Sequence, residues 1–285
     1  MKICIPGNCQ AQHMEMMLHI GNPNLEIDRL APVFLLRDSD KDAIYSKFQE
    51  ANLILTQRIS NEYDIDWIAS SELRREFGHK VTVWPNIYFD GYFPGVQYIY
   101  LARWGKLPSP LGEYHFRQIH AAHASGNTID QAVEAFAGED LFKTSPDPIS
   151  DSLDQLRARE ADVDVPISDA IADSLARSRQ FYTPNHPVNG LLAIMLQRLA
   201  ARADIQFDSE KAVAAPYRLD DLNIATSPAV VSRFHLPFDH QTVYRGREVV
   251  EIEPYTVKLG GVCDYNSHSL VEAFYRLYDA VRLHS

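Results

Sequence analysis

The sequence predicts an α/β fold: a mostly parallel sheet flanked by helices, with a helix-rich C-terminal half. Three observations carry this. From residue 1 to about 110, short apolar runs alternate with stretches of helical periodicity, the rhythm of βαβ units. One run, Asn52-Leu-Ile-Leu-Thr-Gln57, is almost continuously apolar, as a strand covered on both faces is. Further along, residues 151–180, 188–202 and 270–283 carry helical patterning with few strand signals between them.

In order, Lys2–Pro6 reads as the first strand. Gly7 and Asn8 form the turn, and Ala11–His19 is helical, so Cys9 falls where strand becomes helix. Ala31–Leu36 is a second apolar run, and a helix follows from Ser39 or Asp40 to about Ala51. The strand ending at Gln57 comes next. A helix then runs from about Tyr63 to Phe77, closed by Gly78, before a fourth strand over Lys80–Ile87. Residues 88–112 are aromatic, Gly- and Pro-rich loop. Two helices are expected between Glu113 and about Asp140, broken at Gly126-Asn127 and capped by Thr128. Asp151 to about Gln180 is helical, with a break near Pro166. Pro187 suits a first helical turn, and Val188–Arg202 is apolar on most sides, hence buried. Residues 204–262 mix extended pieces, such as Gln241–Tyr244 and Val249–Ile252, with turns, and a helix from Leu270 to Leu283 closes the chain. The expected organisation is an α/β core (1–112), a helical part packing on it (113–203) and a mixed extension (204–285) within one integrated domain.

The totals exclude several classes. Among 285 residues, 46% are hydrophobic and 23% charged, an ordinary globular balance that supports a sizeable core. The formal net charge of −11 and the lack of a basic tract argue against nucleic-acid binding. No apolar run is long enough to span a membrane, and the first residues do not form a signal peptide. Three sparse cysteines, Cys4, Cys9 and Cys263, have no metal-ligand spacing; they suggest free thiols in a reducing, cytoplasmic setting, and no metal is expected. Walker, GxGxxG, HExxH and GxSxG motifs are all missing.

Open parallel sheets bind ligands beyond the carboxyl ends of their strands, and Cys9, Gln57 and Asn86 all stand at such ends. At a helix start, unpaired N–H groups and the helix dipole favour a thiolate, while free cysteines are also often packing residues. Gly7, Asn8 and Gln10 are placed to aim N–H groups at a developing oxyanion. His186, fixed before Pro187, is the first choice of base for Cys9; Asn185-His186-Pro187 also reads as a turn or cap. His13 is a rival base, one helical turn beyond Cys9. His115, His120 and His123 read as a solvated face.

Taken together, Gly7-Asn8-Cys9-Gln10, Thr56-Gln57, the segment Pro85–Pro94 and Thr183-Pro-Asn-His-Pro187 resemble the WcbI-like polysaccharide biosynthesis family, over roughly residues 1–200. The arrangement is also similar to the three-layer SGNH and flavodoxin-like folds, with Cys9 at the place of the SGNH nucleophilic serine. The resemblance implies coenzyme A or acetyl-CoA binding and acetyl transfer to a capsular sugar or a precursor of it. It makes Cys9 the nucleophile, His186 the base, and Gln57, Asn86 and Asn185 polar groups lining the site. Tyr92 and Phe93 would wall the pocket, and Arg58, Arg103 and Lys106 are the cations best placed for the coenzyme's phosphates. A cysteine-dependent esterase of acylated glycans and a non-catalytic CoA- or glycan-binding protein are the alternatives.

Overall fold

The computed structural model describes residues 1–61 and 65–284. Two compact units interleave along the chain. The first holds Met1–Tyr88, Asp154–Ser174 and Asn185–Leu219; the second holds Phe89–Leu153, Leu175–Pro184 and Asp220–Ser285. The expected divisions after residues 112 and 203 therefore fall inside units, not between them.

The first unit is built on a parallel sheet of four strands: β1 (Lys2–Cys4), β2 (Glu26–Asp28), β3 (Leu53–Gln57) and β4 (Val81–Trp84), in the order β2-β1-β3-β4. Helices α1 (Cys9–Gly21), α2 (Lys41–Glu50) and α3 (Ser70–Phe77) make the crossovers. The chain steps outward from β1 to β2, then returns past β1 to β3. The strand order thus reverses between β1 and β3, and that reversal opens a crevice at the carboxyl ends of those two strands.

Both faces of the sheet are covered. Cys4, Ile54, Val81 and Val83 form one buried cluster with Ile44 and Phe48 of α2 and Leu73 of α3. By strand alternation, Ile3 and Leu55 project from the opposite face. Helix α1 packs against the Asn189–Arg202 and Ser209–Val213 helices. Being enclosed, α1 buries Gln10, Ala11, His13, Met14, Glu15, Met17 and Leu18, more than a single stripe.

Several predicted elements differ. The second strand is Glu26–Asp28, and residues 33–35 form a 3-10 turn that leaves Phe34 and Leu35 exposed. Pro32 cannot donate to a ladder, and the real edge strand is short and polar, so it carries no apolar signal. The predicted helix start at Tyr63 lies outside the described residues; a 3-10 turn at Asp66–Ile68 precedes α3. The break expected near Pro166 separates helices Pro148–Arg159 and Ser168–Leu175, the second ending before the expected Gln180, and His186-Pro187 is extended, with the following helix starting at Asn189.

In the second unit, Thr128 caps the Ile129–Ala137 helix: its side chain accepts from the Gln131 N–H, and the Gln131 side chain accepts from the Thr128 N–H. The extended pieces of the C-terminal region are one hairpin, Tyr244–Glu253 with Thr256–Tyr265, packed on the final helix, Ser267–His284. His115 departs from the expected solvated face: it is fully buried, bonded to the Tyr278 hydroxyl at 2.9 Å and to Leu107 O at 3.0 Å. The thiols of Cys4, Cys9 and Cys263 are free. No helix among the described residues is long and apolar enough to cross a membrane.

Candidate active site

The turn after β1 is shaped by close approach. A Cβ on Gly7 would lie 2.8 Å from the Ala11 Cβ and 2.9 Å from the Gln57 Cβ, so only glycine lets β1, α1 and β3 meet there. Asn8 is extended (φ −85°, ψ −160°) and caps α1, its side chain accepting the Gln10 N–H at 2.9 Å. Its own N–H is held by Gln57 Oε1 at 2.9 Å. Cys9 is consequently the first residue of α1, at the reversal point of the sheet.

Side chains from four places in the first unit converge on it. The Cys9 Sγ is 3.6 Å from His186 Nε2 and 3.7 Å from Asn185 Nδ2. Gln10, fully buried, is the hub behind them. Its Nε2 donates to Ile87 O (2.8 Å), Asn185 O (2.8 Å) and Asn185 Oδ1 (2.9 Å). Its Oε1 accepts from Gln57 Nε2 (3.0 Å) and the Ile87 N–H (3.2 Å). Asn86 Oδ1 accepts from Gln57 Nε2 at 3.3 Å and from Asn8 Nδ2 at 3.4 Å. The donor–acceptor pattern fixes the Asn185 amide: its oxygen faces the Gln10 amide nitrogen, so its nitrogen faces the sulfur.

The surroundings of Cys9 act on its thiol in two opposed ways. Burial pushes its thiol pKa up, and the N–H groups of Gln10 and of Cys9 itself push only partly back. Desolvation thus outweighs the N–H groups of the helix start, which favour the thiolate. His186 is the histidine ring in contact with this sulfur. His13, the rival, is 3% exposed and bonded to Asn189 Oδ1 at 2.9 Å, which ties it to the helix packing.

Other predicted residues lie elsewhere. Tyr92 and Phe93 are 1% exposed in the core of the second unit, where Tyr92 packs against Phe89, Phe93, Phe181 and Phe238; their rings are spent on packing. Arg58 pairs with Asp162 at 2.6 Å and Lys106 with Glu113 at 2.9 Å. Arg103 is exposed, with its guanidinium 4.3 Å from the Tyr255 ring centre. Sequence reasoning missed the Ile87 backbone, which completes the Gln10 hub; only the neighbouring Asn86 pointed to it. No cluster of three metal-ligating side chains occurs among the described residues.

A cysteine and a histidine in contact, backed by side-chain amides, thus stand at the switch point of a parallel α/β sheet, where proteins of this class bind ligands. The sequence model of the family described as "Polysaccharide biosynthesis enzyme WcbI" matches residues 2–208, and the chain belongs to that family. A solved structure of WcbI, described as a novel polysaccharide biosynthesis enzyme, superimposes with a TM-score of 0.75 at 23% sequence identity. The match covers 99% of this chain and 92% of that one, and establishes a shared fold. Curated proteins give no match.

Proposed function

We propose that this protein is a coenzyme A-dependent acyltransferase that moves an acetyl group from the thioester to a hydroxyl of a sugar or polysaccharide precursor. The observation that carries the reading is the contact of Cys9 Sγ with His186 Nε2 at 3.6 Å, with the Asn185 amide nitrogen on the same sulfur. Family membership supports the polysaccharide context. The WcbI structure is described as the native protein without the disulfide bond between coenzyme A and one of its cysteines. A cysteine in that protein able to reach the coenzyme's thiol is consistent with a coenzyme sulfur arriving beside Cys9 here.

In the covalent form of the mechanism, His186 takes the Cys9 proton as the sulfur attacks the thioester carbonyl. The carbonyl carbon–sulfur bond to coenzyme A breaks, and the coenzyme's thiolate takes the proton back from His186. The acceptor hydroxyl then gives its proton to His186, its oxygen attacks the acyl group, and the Cys9 sulfur leaves and is reprotonated. The Asn185 Nδ2 and the N–H of Cys9, the first of α1, would receive negative charge on the carbonyl oxygen in both steps, the Gln10 N–H being taken by the Asn8 cap. Gln57 and Asn86 act behind them, holding Asn8 and Gln10 in place.

A second reading, direct transfer with His186 as base and Cys9 as a wall, is favoured by one observation: burial holds Cys9 as a thiol. Intact-mass measurement after incubation with acetyl-CoA separates the two. An acetyl adduct that disappears in Cys9→Ser supports the covalent route; transfer to an acceptor by Cys9→Ser at near wild-type rate overturns it. A thermal shift with CoA and acetyl-CoA, absent with unrelated nucleotides, tests the binding itself.

A further inference from the structure

His13 is buried one turn beyond Cys9, on the same face of α1. Its Nε2 lies 2.9 Å from Asn189 Oδ1. The other bonds of Asn189 fix the direction of its amide. The Nδ2 donates to Tyr217 O at 3.0 Å and to Ala215 O at 3.4 Å, so the oxygen is the atom turned to His13. The ring nitrogen facing that oxygen therefore carries a proton and donates it.

Asn189 is the first residue of the Asn189–Arg202 helix, and His186 stands three residues before it. Val188, at the cap position, makes no side-chain hydrogen bond, so the start of this helix is not anchored by a cap. The Asn189 side chain anchors it, through its three partners. Three contacts then run in register between α1 and residues 185–189, all inside the first unit. Gln10 Nε2 donates to the Asn185 backbone and side-chain oxygens, at 2.8 and 2.9 Å. Cys9 Sγ meets His186 Nε2 at 3.6 Å. One turn on, His13 donates to Asn189. Sulfur is a weak hydrogen-bonding atom, so the middle contact does not hold itself in place. The two outer ones bracket it, and both start from the helix that carries Cys9.

We propose that His13 is a positioning residue of the Cys9–His186 pair: its bond to Asn189 holds the chain that carries His186 at contact distance from the sulfur, as the Gln10–Asn185 bonds do from the other side. What the pair accomplishes rests on the transferase reading; the contact that His13 maintains does not. Misplacing a reacting group by about 1 Å can cost on the order of 10²-fold in rate, so a pin that touches no substrate still acts on the chemistry.

The test follows alkylation of Cys9 by iodoacetamide from neutral to alkaline pH, read by peptide mapping, beside steady-state kinetics with acetyl-CoA and the melting temperature. Wild type is compared with His186→Ala, His13→Gln, His13→Asn and Asn189→Ala. His13→Gln places an amide nitrogen near the position of the ring Nε2 and keeps the bond. His13→Asn is too short to reach Asn189, and Asn189→Ala removes the acceptor; should one of these two fail to fold, the other carries the comparison. At neutral pH both are expected to slow alkylation about tenfold or more, towards the rate of His186→Ala. Both should lower kcat roughly 10²-fold with the KM for acetyl-CoA within about threefold of wild type. His13→Gln should recover most of each loss, and at high pH all variants should alkylate alike. A lowered melting temperature with the neutral-pH alkylation rate of the folded protein unchanged marks a packing histidine and overturns the proposal. So does His13→Gln reacting as slowly as His13→Asn, since the bond is then not what matters. If His186→Ala does not slow alkylation, there is no pair to position and the proposal falls. Wild type that neither binds nor turns over acetyl-CoA removes the transferase reading instead, and the alkylation rates then judge His13 alone.

Discussion

Cys4 and Cys9 stand close together on one strand–helix unit, and burial raises the pKa of both thiols, yet they sit in opposite kinds of environment. Around Cys4 lie the charges of Asp28, Lys47, Lys2 and Glu15, and its thiol is pushed up to about 12. Its sulfur has only the Lys47 carbonyl, at 3.9 Å. Around Cys9, among the described residues, lie backbone N–H groups, the Asn185 amide and the His186 ring. The two sulfurs differ in what touches them: Cys4 lies among side-chain charges of both signs, whereas Cys9 meets backbone N–H groups, an amide and an imidazole ring.

The largest test of this contrast is removal of each sulfur. Cys9→Ser is expected to abolish the acetyl adduct and lower transfer by about 10³-fold or more, ~4 kcal/mol of barrier, in steady-state assays with acetyl-CoA. Loss of less than tenfold would move the chemistry away from Cys9.

Next is the base. His186→Ala should lower transfer by roughly 10²- to 10⁴-fold, the usual span for a general base. It should leave alkylation of Cys9 by iodoacetamide possible at high pH, where hydroxide replaces the imidazole. Because the Cys9 pKa is raised, that alkylation rate should keep climbing to higher pH than an exposed thiol requires. An alkylation profile in His186→Ala that levels off at or below the pH of a free thiol would contradict the desolvated site.

A third test separates shape from chemistry. Gly7→Ala inserts a methyl against Ala11 and Gln57 and is expected to cost about 1–3 kcal/mol in denaturant unfolding. It should also reduce activity in the fraction that stays folded, because Asn8 and Cys9 must shift with it. Glu15, on the same helix, probes the charged side of the comparison. It is 3% exposed, and burial raises its carboxyl pKa to about 7. The folded state therefore holds this proton more tightly than the unfolded chain. The stability it gives is fully present below the ordinary carboxylate pKa and is lost as pH rises towards 7. Glu15→Gln should be the more stable protein at pH 8, by on the order of 2–3 kcal/mol, and should flatten the stability profile between about pH 5 and 8.

The sequence made much of the site readable, because strand ends are marked by local chemistry. Gly7-Asn8 after an apolar run, Thr56-Gln57 ending another and Asn86 beyond a third each announce a turn. The topology of a parallel sheet then brings such turns together. The amide network was not readable, since which oxygen faces which nitrogen depends on distances between segments far apart in the chain. Strand β2 escaped because a short polar edge strand looks like loop. The hairpin at 244–265 was seen only as fragments because both of its faces are largely exposed, which erases the alternation of apolar and polar residues.

The smallest expected effect completes the comparison. Cys4 fills space between the sheet and α2 and is fully buried. Cys4→Ala removes one heavy atom and a weak sulfur contact, so it should cost about 1 kcal/mol in denaturant unfolding. Activity and the acetyl adduct should stay at wild-type level. In native protein iodoacetamide should modify Cys9 and spare Cys4, and peptide mapping by mass spectrometry reads both sites in one experiment. Modification of Cys4 as fast as Cys9 under native conditions would mean that α2 opens readily from the sheet, and burial could then no longer explain why one thiol is inert. If Cys4 stays unmodified until the protein unfolds, the two sulfurs differ by what touches them, and the His186–Asn185 pair is what Cys4 lacks.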